Sequence, residues 1–594
     1  MSNKIVDEEL ISSFKMRVSK SMNKGGIRGL SAAIVRQAGP IWLESLGFTD
    51  ASKQQEVDVN TLFGLQSTTK TVTSVVFLLA VQAGLVGIND PIVKHYPEFK
   101  MKSFYGDDEY KKITFKHLLS HMSSLPREAA IGGCFSRKIP ESFEEHIECI
   151  NDRWLQNPVG TTFQYSNIGM DLVPYILEKI TKKPYPKLVQ ELLGDKLGIT
   201  YYWTNKELAQ HGNVVTGHYD DYEAHKLDDV SFGSGGTFIS IKDHATFVQF
   251  LLNKGKHNGE TILESKYFEI LREPYDDFTF YGFGTSINMM YGTKFYQHAG
   301  GGFGLGSEMY WVPESDIGLI ILYNNENAYY SDYSPAKAIR EQLEEYFTKL
   351  SSDTSTYQFN YANEEIIDVP VEKLRRLVGR YVSFLIAFNI VEENGKLIYQ
   401  VGNHKLELKA HSELAFTTKT PNGIVFELDE QGRPKGCKLY HSAEGLLYCK
   451  YQKKEKKISI PAAKEEWKNW IGFYYLNYYY TEYNFSHLIM DDEGYLVFQG
   501  SRLIPHETEP NIFVTDKGKV VELLENSFFF DNILYTKLDN VVDFFTNIVN
   551  NEPEHRAGLM WIFDSISNSL KALGKDDQAN TIIELKKKHQ KRKK

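Results

Sequence analysis

Two strand pairs placed far apart constrain this chain most. LSAAIVR (30–36) and IWLESLG (41–47) read as a hairpin around Gly39-Pro40. SEMYWVP (307–313) and IGLIILYN (317–324) read as a second, turning at Glu314-Ser315-Asp316. Between the pairs the apolar spacing is mainly helical, with candidate helices at 68–84, 115–121, 169–181 and 242–253, and another follows at about 335–349. Strands that open and close a helix-filled region join most simply in one antiparallel sheet with helices packed on it, an α+β architecture. The expected first domain is 1–350, entered through a polar surface helix.

Beyond 350 the pattern changes. SSDTST (351–356) reads as a linker, and short strands with turn signals follow. A weak repeat relates Leu374, Leu377, Gly379 and Tyr381 to Trp467, Trp470, Gly472 and Tyr474, with Phe416 and Phe513 at corresponding later places. We expect β-units at 351–460 and 461–540, each a small barrel or half of one. A helical segment, 541–594, closes the chain. In it Leu559, Ile562, Phe563, Ile566, Leu570 and Leu573 form a stripe that stops at Gly574, a second helix spans 576–587, and KKKHQKRKK (586–594) reads as a solvated basic tail. The chain has 36 Tyr, 36 Phe and 7 Trp, which excludes a mostly disordered protein. The densest aromatic cluster, Tyr474 to Phe485, reads as cross-strand packing.

A net charge of −10 argues against nucleic acid as the main partner. Four cysteines without a C-x-x-C pair support neither a zinc knuckle nor a disulfide scaffold. The polar N-terminus lacks an apolar leader, and Val72–Leu85 is too short and polar to span a bilayer. A cytoplasmic protein without metal, cofactor or membrane partner is expected.

The chemistry gathers at three places. Ser67-Thr68-Thr69-Lys70 opens an apolar helix, and positions i and i+3 share a face, so Lys70 can lie beside Ser67. A serine hydroxyl needs a base to become a nucleophile, and a lysine desolvated by an apolar helix can be that base. Ser67 would also stand at a helix N-terminus, whose N–H groups favour an oxyanion. Other S-x-x-K matches, at Ser12, Ser21 and Ser334, lack this combination of preceding strand and buried helix. Tyr165-Ser166-Asn167 precedes a helix, so Tyr165 and Asn167 can face one pocket, with the phenol as a second acid–base group. His298-Ala299-Gly300-Gly301 adjoins the later hairpin; its glycines admit a close substrate, and the Gly301 N–H can pair with that of Ser67. His117 and His121 lack the Glu of HExxH and read as structural.

These pieces, STTK, YSN and HAG in that order, resemble the serine hydrolases of the class C β-lactamase and penicillin-binding-protein superfamily. ITFKHLLSHMSSLP (113–126) and SFGSGGTFISIKDHATFVQFLLNKGKHNGETIL (231–263) are similar to further segments of that family. The resemblance covers about 20–350. It implies Ser67 as acylated nucleophile, Lys70 and Tyr165 sharing its proton, Asn167 holding a substrate amide or orienting Lys70, and His298 holding Tyr165 or the substrate. It implies Gly300 and Gly301 beside the substrate. Two departures stand out. His298 and Ala299 replace the Lys and Thr of K-T-G, which points toward the D-aminopeptidase and esterase branches rather than β-lactam hydrolysis. Ser124 replaces a usual glycine, which implies a local backbone adjustment. The C-terminal units resemble the lipocalin-like domains of D-aminopeptidase-type members and are candidates for shaping the cleft or for homo-oligomerisation.

Three readings stay open: a hydrolase cleaving an amide, a peptide (including D-residues) or an ester; an acyltransferase on the same machinery; and a non-catalytic binding or scaffold protein. The first two require a small-molecule or peptide substrate.

Overall fold

The structure, a computed structural model, describes residues 2–592 apart from 134–139, 221, 225–229, 277–278, 291–292, 351–363, 383–386, 402–403, 418–422, 442–444, 453–463, 477–483, 507–508, 516–518, 552–562, 564–565, 569 and 572.

The bracketing strands meet as expected. Gly29–Arg36 pairs with Gly39–Gly47 on one side and Ile317–Tyr323 on the other, and Leu305–Val312, Thr293–Gly302 and Ser286–Met290 complete a six-stranded antiparallel sheet. Strand side chains alternate between faces, and here both faces are covered. Ala33, Val35, Met309, Trp311, Ile320 and Leu322 face the large core built on the helices Thr69–Gln82, Asn167–Thr181 and Ile241–Leu252. Leu30, Ala32, Ile34, Tyr310, Leu319 and Ile321 face a second core with Phe14, Ile339 and Leu343. That second layer is the helix pair Ser2–Lys24 and Pro335–Leu350. The N-terminal helix is therefore more than a surface feature: Leu10, Phe14 and Val18 are buried, and Arg17 bonds Gln342 and Glu345 across the pair.

Two β-units follow. The first is a nine-stranded antiparallel sheet whose edge strands, His404–Glu407 and Lys409–Ala410, are separated only by Leu408. One chain segment thus supplies both edges. The second is a closed eight-stranded barrel, with Gly472–Leu476 pairing both Asn484–Met490 and Ile533–Lys537. The repeat has a structural counterpart in a buried tyrosine that bonds back four residues. Tyr381 Oη donates to the Leu377 carbonyl at 2.8 Å, and Tyr474 Oη to that of Trp470 at 2.7 Å. Leu374, Leu377 and Phe416 lie in the first core, and Trp467 and Phe513 in the second.

Phe473 faces outward from the barrel and is covered by Val541, Phe545, Phe563, Ile566, Leu570, Ala579 and Ile582 of the C-terminal helical segment. Leu559 and Ile562 of the expected stripe lie outside the described residues, as do the linker 351–356 and Tyr478, Tyr479, Tyr480 and Tyr483 of the aromatic cluster. Gly574 ends the stripe at φ +68°. The last helix, Asp576–Arg592, runs past the expected end at 587, so much of the basic tail is helical. Among the described residues no helix is long and apolar enough to cross a membrane, and no group of His, Cys, Asp or Glu is placed to hold a metal ion.

Candidate active site

Strand Leu62–Gly64 leads into a one-turn 3-10 helix, Gln66–Thr68, and then into the buried helix Thr69–Gln82. Gln66 adopts φ +49°, a left-handed conformation costly for a side-chain-bearing residue. This turn leaves Ser67 as the one residue between Thr61 and Lys70 that is not fully buried. The turn is tied to the sheet: Thr68 Oγ1 and Ser307 Oγ share a 2.7 Å hydrogen bond, and Ser307 Oγ donates to the Leu65 carbonyl at 2.6 Å.

Lys70 is buried, and its Nζ donates to Ser67 Oγ at 3.0 Å and to the Ser234 carbonyl at 2.8 Å. Ser234 is held in turn by Asp171. The Asp171 carboxylate accepts the Ser234 hydroxyl and the Gly233 N–H, each at 2.9 Å, and its Oδ2 lies 3.3 Å from His146 Nε2. A buried carboxylate is thus connected to the lysine through one serine. Lys70 Nζ stands 4.8 Å from the centre of the Tyr165 ring, and the Arg127 guanidinium stands 5.2 Å from it. Two basic side chains therefore flank the phenol.

The structure brings Ser67, Lys70, Tyr165, Asn167 and His298 into one neighbourhood, with partners that refine the expectations. Asn167 Nδ2 donates to Glu128 Oε1 at 2.7 Å. Glu128 is buried, which pushes its carboxyl up, against the pull of Arg127 and Lys70. His298 lies 6.4 Å from Tyr165, ring centre to ring centre, but its Nε2 pairs with Tyr281 Oη at 2.8 Å and its Nδ1 with the Ala299 carbonyl at 2.8 Å. Burial and the nearby Lys70 charge hold His298 down to about 3. The imidazole is neutral, so Nδ1–H donates to the carbonyl and Nε2 accepts from the phenol. Both nitrogens are occupied. His298 was expected to hold Tyr165 or the substrate; its hydrogen-bond partner here is Tyr281, whose own ionisation burial pushes well up.

The two glycines differ. A β-carbon at Gly300 would collide with the Leu65 carbonyl oxygen and Ser307 Oγ, so this glycine lets the strand close on the Ser67 turn. At Gly301 it would meet only Glu326, at 3.9 Å. His121, expected as structural with His117, sits against Tyr165 at 4.3 Å and Tyr281 at 4.8 Å between ring centres. Its Nδ1 accepts the Ser166 N–H, and burial keeps it well below the usual histidine range. His117 instead completes a capping box with Thr114. Ser124 takes φ +62° and its Oγ donates to the Pro158 carbonyl at 3.0 Å. Ser124, where a local backbone adjustment was expected, thus stands in a left-handed conformation that glycine adopts more readily.

Asp171, Ser234, Glu128 and Tyr281 were not singled out by sequence reasoning. Asp171 alone carried a signal, standing four residues after Asn167 on one helix face.

A cavity of about 560 Å³ opens beside the nucleophile turn, lined by Gln66, Gly235 and Gly236 and by Leu208, Val215, Phe238, Phe303 and Leu305 among others. No charged side chain lines it among the described residues.

Known proteins give this geometry a context. The chain is 29% identical over 172 residues to Protein flp of Staphylococcus aureus (strain N315), covering 29% of this chain and 34% of that one. It is 26% identical over 346 residues to the unguisins hydrolase ungD' of Aspergillus campestris (strain IBT 28561), covering 53% and 62%. It spans about a third of the first relative's length and less than two thirds of the second's. The solved structure of SurE superposes with a TM-score of 0.51 at 16% identity, over 75% of this chain and 99% of that one, a likeness of fold. A family model described as Beta-lactamase matches residues 14–344, more than half of the 594 residues, and the chain belongs to that family.

Proposed function

We propose that the protein is a serine hydrolase that works through an acyl-enzyme on Ser67 and cleaves an amide, a peptide or an ester. The observation that carries this reading is the 3.0 Å contact between the Lys70 amine and the Ser67 hydroxyl, with Tyr165 beside the same amine. Lys70, in its unprotonated form, accepts the hydroxyl proton as Ser67 Oγ attacks the carbonyl carbon. The oxyanion collects on the backbone N–H groups of Ser67 and Gly301. Tyr165 passes a proton to the leaving amine or alkoxide as the carbon–heteroatom bond breaks. Water then attacks the acyl-enzyme by the reverse proton path and frees the acid. Asp171 and Ser234 hold Lys70 in place.

The cavity supports a statement about the substrate. The leaving group must reach Tyr165, and the cavity, which neither Ser67 nor Tyr165 lines, adjoins the nucleophile turn at Gln66. It therefore takes the part retained on Ser67, an apolar acyl group or side chain. Its volume suits a small organic group.

A fluorophosphonate probe with mass mapping tests the reading. Wild type is labelled on Ser67, whereas Ser67→Ala is not; an unlabelled wild type, or equal labelling of the variant, overturns it. An ester series then tests the cavity, with kcat/KM rising roughly fourfold per added methylene until the cavity is full. Indifference to chain length removes the cavity from the reading. Acyl transfer to added amines or alcohols is the product test for the acyltransferase alternative.

A further inference from the structure

The eight-stranded barrel touches the catalytic domain in two different ways. Part of the contact lies away from Tyr165: Phe104 stacks on His506 at 4.1 Å, the Arg153 guanidinium lies 4.1 Å from the Phe529 ring and pairs with Glu522 at 3.7 Å, and the Val520 N–H donates to Gln156 Oε1 at 2.8 Å. The other part is the hairpin turn at Asp531 and Asn532, between strands Ser527–Phe530 and Ile533–Lys537. Both residues take left-handed φ values, +53° and +64°, and both are buried. Such a two-residue turn is a rigid hairpin connection.

Its side chains reach segments on either side of Tyr165. Asp531 Oδ1 accepts the Arg127 backbone N–H at 2.8 Å and Gln164 Nε2 at 3.3 Å. Its Oδ2 accepts Lys519 Nζ at 2.7 Å, which orients the carboxylate from behind. Asn532 Nδ2 donates to the Glu128 carbonyl at 2.9 Å. Arg127 lies over the Tyr165 ring, Glu128 accepts from Asn167, and Gln164 directly precedes Tyr165. One turn of a distant domain thus holds both loops that place the phenol.

We propose that Asp531 and Asn532 are positioning residues for Tyr165, so that the second barrel completes the active site of the first domain. This rests on the acid–base reading of Tyr165. Packing alone would need only apolar contact; a buried carboxylate aimed at a main-chain N–H and a side-chain amide fixes geometry. Small misplacements of a catalytic group cost rate far more than they cost binding.

The experiment compares full-length wild type with Asp531→Gly, Asn532→Gly and Asp531→Asn; glycine suits the left-handed backbone at both positions. With a short acyl ester, Asp531→Gly lowers kcat roughly tenfold to a hundredfold, with KM little changed. Asn532→Gly, which removes one bond, loses less. Asp531→Asn recovers most of the rate, because its amide oxygen still accepts the Arg127 N–H. A merely structural role would lower the melting temperature without this split and without rescue. Unchanged kcat in Asp531→Gly, or in Asn532→Gly should the first variant not fold, overturns the proposal. Hydrogen exchange at the Arg127 amide is read on the same samples. If wild type stays unlabelled at Ser67, the hydrolase reading fails, and exchange alone decides this one: faster exchange in the variants supports the clasp, unchanged exchange overturns it.

Discussion

The two β-units share a folding device and differ in how they meet the catalytic domain. Each has a tyrosine that bonds back to a carbonyl four residues earlier, under a buried Leu374 in one and a buried Trp467 in the other. The first unit meets the catalytic domain through a ring stack, Phe280 on Tyr448 at 5.1 Å, and a half-exposed ion pair, Lys450 with Asp276 at 3.2 Å. Exposed ion pairs contribute little. The second sends a buried carboxylate and amide to the loops around Tyr165. Similar scaffolds can thus meet the same neighbour differently, the second with a hairpin turn at the loops around Tyr165 beside further polar contacts such as Val520 N–H to Gln156 Oε1.

The strongest way to test that contrast is to unsettle each unit from within. Trp467→Ala should cost about 3–5 kcal/mol and Leu374→Ala about 2–5 kcal/mol, read by urea unfolding. Only the first should also slow Ser67 labelling at a temperature where both variants are folded in their catalytic domains. Equal loss of labelling would break the comparison.

Acid should weaken the catalytic domain through two buried histidines. Burial and Lys70 hold His298 down to about 3, and burial alone takes His244 down to about 3. An unfolded histidine takes up its proton near 6.5. The folded values lie below the unfolded one, so this stability is complete above about pH 6.5 and is lost as the pH falls toward 3. His244→Leu should flatten the fall by at most about 1.4 kcal/mol per pH unit. An unaltered slope would exclude His244 as a contributor.

Finer tests follow. Tyr381→Phe and Tyr474→Phe should each cost about 0.5–1.5 kcal/mol for the lost hydrogen bond. Matching values would sharpen the likeness of the two units, and a large disparity would weaken it. Tyr448→Ala should change kcat by less than about twofold, since the stack supplies area rather than geometry. A tenfold loss would place the first unit in the site as well.

Much of the catalytic domain was legible because its signals are local. Period-2 apolar runs gave the sheet strands, and three short motifs marked Ser67, Lys70, Tyr165, Asn167 and His298. The residues that steady them were hidden, because their partners are set by folding and not by spacing. Asp531 reaches Arg127 across 404 positions, and Tyr281 meets His298 in a strand register no motif announces. Ser124 was hidden in the same way: its left-handed φ and its hydroxyl's bond to the Pro158 carbonyl are set by folding.

The place of the clasp in the chain has a consequence in time. Chains leave the ribosome N-terminus first, at roughly 5–20 residues per second. Ser67, Lys70 and Tyr165 emerge early and can fold with their sheet once residue 350 is out. The turn that steadies Tyr165 is made only at 531 and 532, roughly 10–40 s later at that pace. If the clasp is needed for rate, a chain still being made carries Ser67 without full activity until residues 531 and 532 have emerged and folded.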